Sequence, residues 1–212
     1  MKFNTEMLLL YAVTDRNGTD SNTLYNQIKL ALDGGVTMVQ LREKELDEES
    51  FFTEAVKIKE LCHSYDVPLV INDNLNVALR SGADGIHVGI EDMAVSEIRK
   101  RTDKDFIIGA TAKSVRQAKN AEAQGADYLG IGAIFPSPTK QSAIRITNED
   151  LSAIASSVNI PSVAIGGINL KNIDEIKCNK ISGVAVVSAI FSADDIKTAT
   201  AALKEKAKAI VD

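Results

Sequence analysis

The sequence predicts a (β/α)8 barrel, a parallel eight-stranded sheet closed on itself with helices outside. Three observations lead there. Short apolar runs recur roughly every twenty to thirty residues and alternate with amphipathic stretches of helical period. Short apolar strands separated by helices pair in parallel through right-handed crossovers. Eight such strand–helix units are present with none missing, which favours a closed barrel over an open doubly wound sheet. At 212 residues the chain is near the small end for this fold, so its loops are expected to be short. No linker or low-complexity stretch divides it, and it reads as one domain over residues 1–212.

Taken in order, Leu8 to Val13 is the first strand, and Thr14-Asp15 opens a polar loop. Ser21 to Leu32 places Leu24, Ile28, Ala31 and Leu32 at helical spacing and stops at Gly34-Gly35, as helices commonly do. Val36 to Val39 is the second strand and runs into Gln40-Leu41-Arg42-Glu43-Lys44. Glu49 to Tyr65 is an amphipathic helix. Pro68 to Ile71 is the third strand, ending at Asn72-Asp73-Asn74; Leu75 to Arg80 is a short helix closed by Gly82. Gly85 to Val88 is the fourth strand, followed by Gly89-Ile90-Glu91-Asp92 and a helix from Val95 to Arg101. Phe106 to Ala110 is the fifth, ending at Thr111, and Ser114 opens the helix Val115 to Ala123. Tyr128 to Ile131 is the sixth and leads to a loop, Phe135 to Lys140. Asn148 reads as the N-cap of a helix from Glu149 to Ser156. Ser162 to Ile165 is the seventh strand, ending at Gly166-Gly167, with a helix from Leu170 to Cys178. Gly183 to Val187 is the eighth, ending at Ser188, and Asp194 to Val211 is the closing helix.

Composition narrows the function classes. With 45% hydrophobic and 25% charged residues the chain resembles an ordinary soluble protein. A net charge of -5 argues against a nucleic-acid partner but not against a small phosphorylated ligand held by a local group of cations. Cys62 and Cys178 show no metal-ligand spacing and read as free thiols of a reducing compartment. The apolar run Met7 to Val13 is too short to span a membrane, and no cleavage site follows it. A cytoplasmic protein without membrane partners is expected; whether it forms a homo-oligomer is open.

In barrels of this kind chemistry collects at the carboxyl ends of the strands. Unusual polar residues do fall there: Gln40, Arg42 and Lys44 after strand two, Asn72 and Asp73 after three, Asp92 after four, and Thr111 after five. Ser137, Thr139 and Lys140 follow strand six, Gly166 and Gly167 strand seven, and Val187-Ser188 closes strand eight. In extended backbone alternate side chains share a face, so Gln40, Arg42 and Lys44 are expected on one side, with Leu41 and Glu43 on the other. Taken alone, the same stretch also fits a solvated charged loop. Gly166-Gly167 and Val187-Ser188 resemble a barrel phosphate site, where glycines admit backbone N–H groups to an anion. Tight turns would need the same glycines. Asp73 and Asp92, on adjacent strand ends beside two cations, fit salt bridges, and equally Mg2+ with a pyrophosphate. The lack of paired Cys and His ligands disfavours zinc.

Together, Gln40-Leu41-Arg42-Glu43-Lys44, Asn72-Asp73, Glu91-Asp92, Pro136-Ser137-Pro138-Thr139-Lys140, Gly166-Gly167-Ile168 and Val187-Ser188 resemble the thiamine-phosphate synthase family over almost the whole chain. The resemblance implies a transferase that joins hydroxymethylpyrimidine diphosphate to a thiazole phosphate, giving thiamine phosphate and pyrophosphate. It implies Mg2+ on Asp73 and Asp92. Gln40, Arg42, Lys44 and Asn72 would hold the pyrimidine diphosphate, with Thr111 on the pyrimidine. Ser137, Thr139, Gly167, Val187 and Ser188 would hold the thiazole phosphate, and Lys140 would reach the pyrophosphate. Arg42, Lys44 and Lys140 are then the groups that stabilise the departing charge.

Several positions depart from the family's pattern. Ile90 stands where Gln is usual, Thr111 replaces the commoner Ser and Ser137 the commoner Thr. Thr147 stands near a usual Gly, and Ala143-Ile144-Arg145 differs from a Pro-rich run, so the loop from Gln141 to Thr147 is expected to move differently. Arg145 reads as solvated surface, as do His63 and the run Lys204 to Lys208; His87 reads as a packed structural histidine rather than a base. Two rivals remain: a thiazole tautomerase-like isomerase, which generally lacks the full cation and carboxylate set, and a non-catalytic phosphate-ligand sensor on the same barrel.

Overall fold

The computed structural model describes residues 2–16, 21–136 and 145–211. Its centre is a closed barrel of β1 (Leu10–Val13), β2 (Met38–Leu41), β3 (Leu69–Asn72), β4 (Gly85–Val88), β5 (Ile107–Ala112), β6 (Tyr128–Gly132), β7 (Ser162–Ile165) and β8 (Gly183–Val186). Each strand pairs in parallel with the next, and β8 returns to β1 through Tyr11 opposite Ala185. Between them run the helices α1 (Ser21–Asp33), α2 (Glu48–His63), α3 (Leu75–Ser81), α4 (Val95–Arg99), α5 (Val115–Ala123) and α6 (Asn148–Ala155). The short α7 (Ser188–Phe191) and the long α8 (Ile196–Val211) follow β8.

The twofold period of a strand sorts the side chains into two cores. Leu10, Ala12, Val39, Leu41, Leu69 and Ile71 point outward and pack against the helices. Tyr11, Met38, Val70, Ile107, Tyr128, Val163 and Ala185 fill the barrel interior. Above this interior layer, toward the carboxyl ends, the inward positions become polar or small.

Four expected boundaries are corrected. The first strand begins at Leu10, because Thr5–Leu8 form a 3-10 turn whose N-cap Asn4 accepts a hydrogen bond from the Met7 amide at 3.3 Å. That turn adds Met7 and Leu8 to the barrel interior. β5 continues to Ala112, so Thr111 lies inside the strand. Thr147, not Asn148, caps α6, through a capping box with Asp150. Finally, the helix expected from Leu170 to Cys178 is reduced to a 3-10 turn, Ile173–Glu175. Asn side chains compete with helical backbone bonding. Here Asn169 and Asn172 both donate to the Gly167 carbonyl, at 3.2 and 2.9 Å, and tie the chain to the rim instead.

Both cysteines are buried free thiols, and burial raises the Cys62 thiol far above its usual range. No described helix is long and apolar enough to cross a membrane.

Candidate active site

The carboxyl end of the barrel opens into a cavity of about 240 Å³. Gln40, Arg42, Lys44, Asn72, Asp73, Asp92, Thr111, Gly166 and Val187 line it together. Gly167 and Ser188 follow lining residues directly without lining the cavity themselves. Ser137, Thr139 and Lys140 lie outside the described residues. Two grooves of larger volume lie away from the strand ends, one beside Asp174 and Cys178, the other between Tyr25 and Glu49, and hold none of these side chains.

The end of β2 is held rigidly. Thr14, fully buried, donates its amide to the Gln40 carbonyl at 2.9 Å, and its hydroxyl accepts from the Arg42 amide at 2.9 Å. Glu43 turns away from the cavity, as strand alternation requires, and meets Arg16 at 2.8 Å. Arg16 also bridges to Glu54 of α2 at 2.5 Å. Burial raises the Glu43 carboxyl above its usual range, against the opposing pull of Arg16. This buried cluster leaves Arg42 and Lys44 on the open side. Arg42 approaches Asp15 at 3.7 Å, and Lys44 Nζ donates to Asp73 Oδ2 at 2.6 Å.

Two turns present the carboxylates. Asp73 occupies the left-handed region, φ 61°, in the Asn72-Asp73-Asn74 turn, and its amide donates to the His87 carbonyl at 3.0 Å. Asn74 then caps α3 through the Val77 amide. Asp92 folds back so that its Oδ2 accepts from the Gly89 amide at 2.8 Å. A Cβ at Gly89 would stand 2.7 Å from that oxygen, so a side chain there would push the Asp92 carboxylate out of this position. Partial desolvation, and then the Asp73 carboxylate beside it, raise the Asp92 carboxyl above its usual range. Ile90, in the same turn, is exposed.

The opposite rim is built from backbone. Gly166 and Gly167 have φ of +103° and +65°, and a Cβ on Gly167 would lie 2.2 Å from the Pro136 carbonyl oxygen. Val187, which lines the cavity, gives α7 no side-chain cap, and the Ile190 amide turns back to the Val187 carbonyl at 3.1 Å.

Lys113 also lines the cavity, and its contribution was not expected from the sequence. The signal was there: it lies two residues beyond Thr111, on the same face of β5 extended. His87 lines the floor, 7% exposed, with Nδ1 3.1 Å from the Tyr128 hydroxyl and Nε2 3.1 Å from Thr111 Oγ1. It is packed and hydrogen-bonded, as expected. Burial pushes its pKa down to about 4 from 6.5. Its folded-state pKa is thus below the unfolded one, so its contribution to stability is complete above pH 6.5 and is lost as pH falls toward 4. Between pH 7 and 4 wild type should therefore lose ~2–3 kcal/mol more than His87→Gln in denaturant unfolding. Equal losses would contradict a buried neutral imidazole. His63 ends α2 and pairs with Asp84 at 2.8 Å, and Arg145 is exposed.

Among the described residues no group of three or more His, Cys, Asp or Glu side chains gathers as a metal cage. The pair Asp73 and Asp92 instead fits an ion such as Mg2+, which takes one or two carboxylates and completes its shell with water and phosphate oxygens.

Fold and site define a (β/α)8 enzyme whose mouth pairs cations and carboxylates on one side with a glycine-built rim on the other. The chain belongs to the thiamine monophosphate synthase family, whose model matches residues 10–190. It is 45% identical over 188 residues to a thiamine-phosphate synthase of Clostridium acetobutylicum, covering 89% of each chain. It is 43% identical over 202 residues to that of Methanobrevibacter smithii, covering 95% of this chain and 96% of the relative. A solved thiamine phosphate pyrophosphorylase from Pyrococcus furiosus superposes with a TM-score of 0.88 at 34% identity, covering 98% of this chain and 99% of that one. A 3-hexulose-6-phosphate synthase structure, 15% identical with a TM-score of 0.73 over 94% of this chain and 99% of its own, shares the fold alone.

Proposed function

We propose that this transferase joins hydroxymethylpyrimidine diphosphate to a thiazole phosphate, with thiamine phosphate and pyrophosphate as products. The observation that carries this reading is the convergence of Arg42, Lys44, Asp73 and Asp92, from three separate strand ends, on one cavity. The bond from the pyrimidine methylene to the diphosphate oxygen breaks first, and the electron pair leaves with pyrophosphate. The thiazole nitrogen then donates its own pair to the methylene carbon. No protein nucleophile is required.

Gln40, Asn72 and Thr111 orient the pyrimidine diphosphate, and Arg42 and Lys44 hold its diphosphate. As charge builds on the leaving oxygens, these cations stabilise it most, since they are already in place. Lys140 adds a third cation. Mg2+, held by Asp73 and Asp92, would supply further positive charge to the diphosphate. Gly167, Val187 and Ser188, with Ser137 and Thr139, hold the thiazole phosphate, so its ring nitrogen faces the methylene carbon. Holding both partners in this geometry supplies much of the remaining rate. We read the enzyme as cytoplasmic, acting on small molecules.

Pyrophosphate release with both substrates, followed with Mg2+ and with a chelator, tests this reading. Release that depends on Mg2+ is expected. Metal-independent isomerisation of the thiazole without pyrophosphate release would point to a tautomerase, and binding without turnover to a sensor.

A further inference from the structure

A buried chain of hydrogen bonds crosses the barrel beneath the cavity. Gln40 Nε2 donates to the Tyr11 hydroxyl at 2.6 Å, and the Tyr11 and Tyr128 hydroxyls are 2.8 Å apart. The Tyr128 hydroxyl is 3.1 Å from His87 Nδ1, and His87 Nε2 is 3.1 Å from Thr111 Oγ1. The proposed roles use only its two ends, Gln40 and Thr111. Its middle, Tyr11, Tyr128 and His87, is almost entirely buried.

The barrel reserves space for this chain. His87, Gly109 and Tyr128 stand side by side on β4, β5 and β6. A Cβ on Gly109 would lie 2.1 Å from Tyr128 Cζ, and one on Gly130 would lie 3.1 Å from His87 Cε1. The ring of Tyr128 is further fixed by Phe3, Tyr11 and His87, with centroids at 5.9, 5.9 and 5.6 Å.

Each hydroxyl carries one proton, and a neutral imidazole carries one N–H. One arrangement gives every proton in the chain an acceptor. In it Gln40 donates to the Tyr11 hydroxyl and the Tyr11 proton goes to Tyr128. Tyr128 then donates to His87 Nδ1, and the ring proton resides on Nε2, which donates to Thr111. The Thr111 hydroxyl proton is then not used within the chain, on a residue that lines the cavity. At the other end, Gln40 Oε1 is left as an acceptor.

We infer that Tyr11, Tyr128 and His87 are positioning residues that polarise the cavity floor. They set an acceptor at Gln40 and a donor at Thr111. This floor selects a heterocycle with an exocyclic N–H on one edge and an unprotonated ring nitrogen on the other, the chemistry of an aminopyrimidine. The inference rests on the proposed function for the identity of that ring, but the direction of the chain does not.

Two measurements separate these. Heteronuclear NMR of the imidazoles in ligand-free wild type, with His63→Gln to assign the two histidines, is expected to show His87 as the Nε2–H tautomer alone. An Nδ1–H tautomer overturns the inference, whatever the enzyme's substrates. In Tyr128→Phe, the tautomers are expected to mix, and KM for the pyrimidine diphosphate to rise about tenfold with KM for the thiazole phosphate unchanged. Tyr11→Phe breaks the neighbouring joint and should give the same split. Unchanged tautomer and KM in a folded variant, or equal rises in both KM values, overturn the inference. A wild type with the expected tautomer but no pyrophosphate release overturns the proposed function and leaves the chain's direction standing.

Discussion

Arg42→Ala should lower kcat/KM for pyrophosphate release by roughly a hundredfold or more, the scale of removing one preorganised donor from a developing charge. Arg42 has little structural work to lose. Its side chain is about a third exposed, and its ion pair to Asp15 is long, at 3.7 Å. The strand end beneath it is fixed by Thr14 and by the Arg16–Glu43–Glu54 cluster, neither of which depends on the Arg42 guanidinium. The fold should therefore survive, and the loss should appear in turnover with thermal stability nearly unchanged. Arg42→Lys keeps the charge but loses the planar fork that grips phosphate oxygens, so it should recover only part of the rate. Steady-state kinetics with both substrates would check this, and wild-type turnover in Arg42→Ala would remove Arg42 from the site.

Gly109→Ala should have the largest effect on folding. Its missing Cβ is filled by a neighbour, with Tyr128 Cζ at 2.1 Å and its hydroxyl at 2.3 Å from where a methyl would sit. Tyr128 is fully buried and cannot swing out. Overpacking a core of this density costs about 1–3 kcal/mol, and more where the neighbour is as tightly held as this ring. Urea unfolding should show a midpoint shifted down at an unchanged slope. Because the ring carbon itself is the nearer atom, Gly109→Ala with Tyr128→Phe should regain little stability. An unchanged midpoint in the single variant would contradict the packing described for the barrel interior.

Much of the barrel was legible because two periods run through the chain. Alternation in strands separates Leu41 and Glu43 from Gln40, Arg42 and Lys44, and helical spacing marks Leu24, Ile28 and Leu32. The rim residues could be located because parallel strands all end on one side. Lys113 was overlooked because β5 runs past Ala110, where the apolar signal stops. The helix expected at Leu170 to Cys178 has the right apolar residues, but its Asn169 and Asn172 side chains bond the Gly167 carbonyl and shorten it. The chain from Gln40 to Thr111 was illegible for a different reason. Its Tyr11–Tyr128 contact joins residues 117 apart, and only barrel closure brings their hydroxyls together. The role of Gly109 follows from the same closure.

The central claim is that cations and carboxylates from separate strand ends grip a diphosphate together with a divalent ion. Calorimetric titration of pyrophosphate into wild type and into Asp73→Asn/Asp92→Asn, with Mg2+ and with a chelator, tests it most directly. Wild type should bind much more tightly with Mg2+, and the double variant should lose that difference while staying folded. The same Mg2+ enhancement in the double variant would contradict the account.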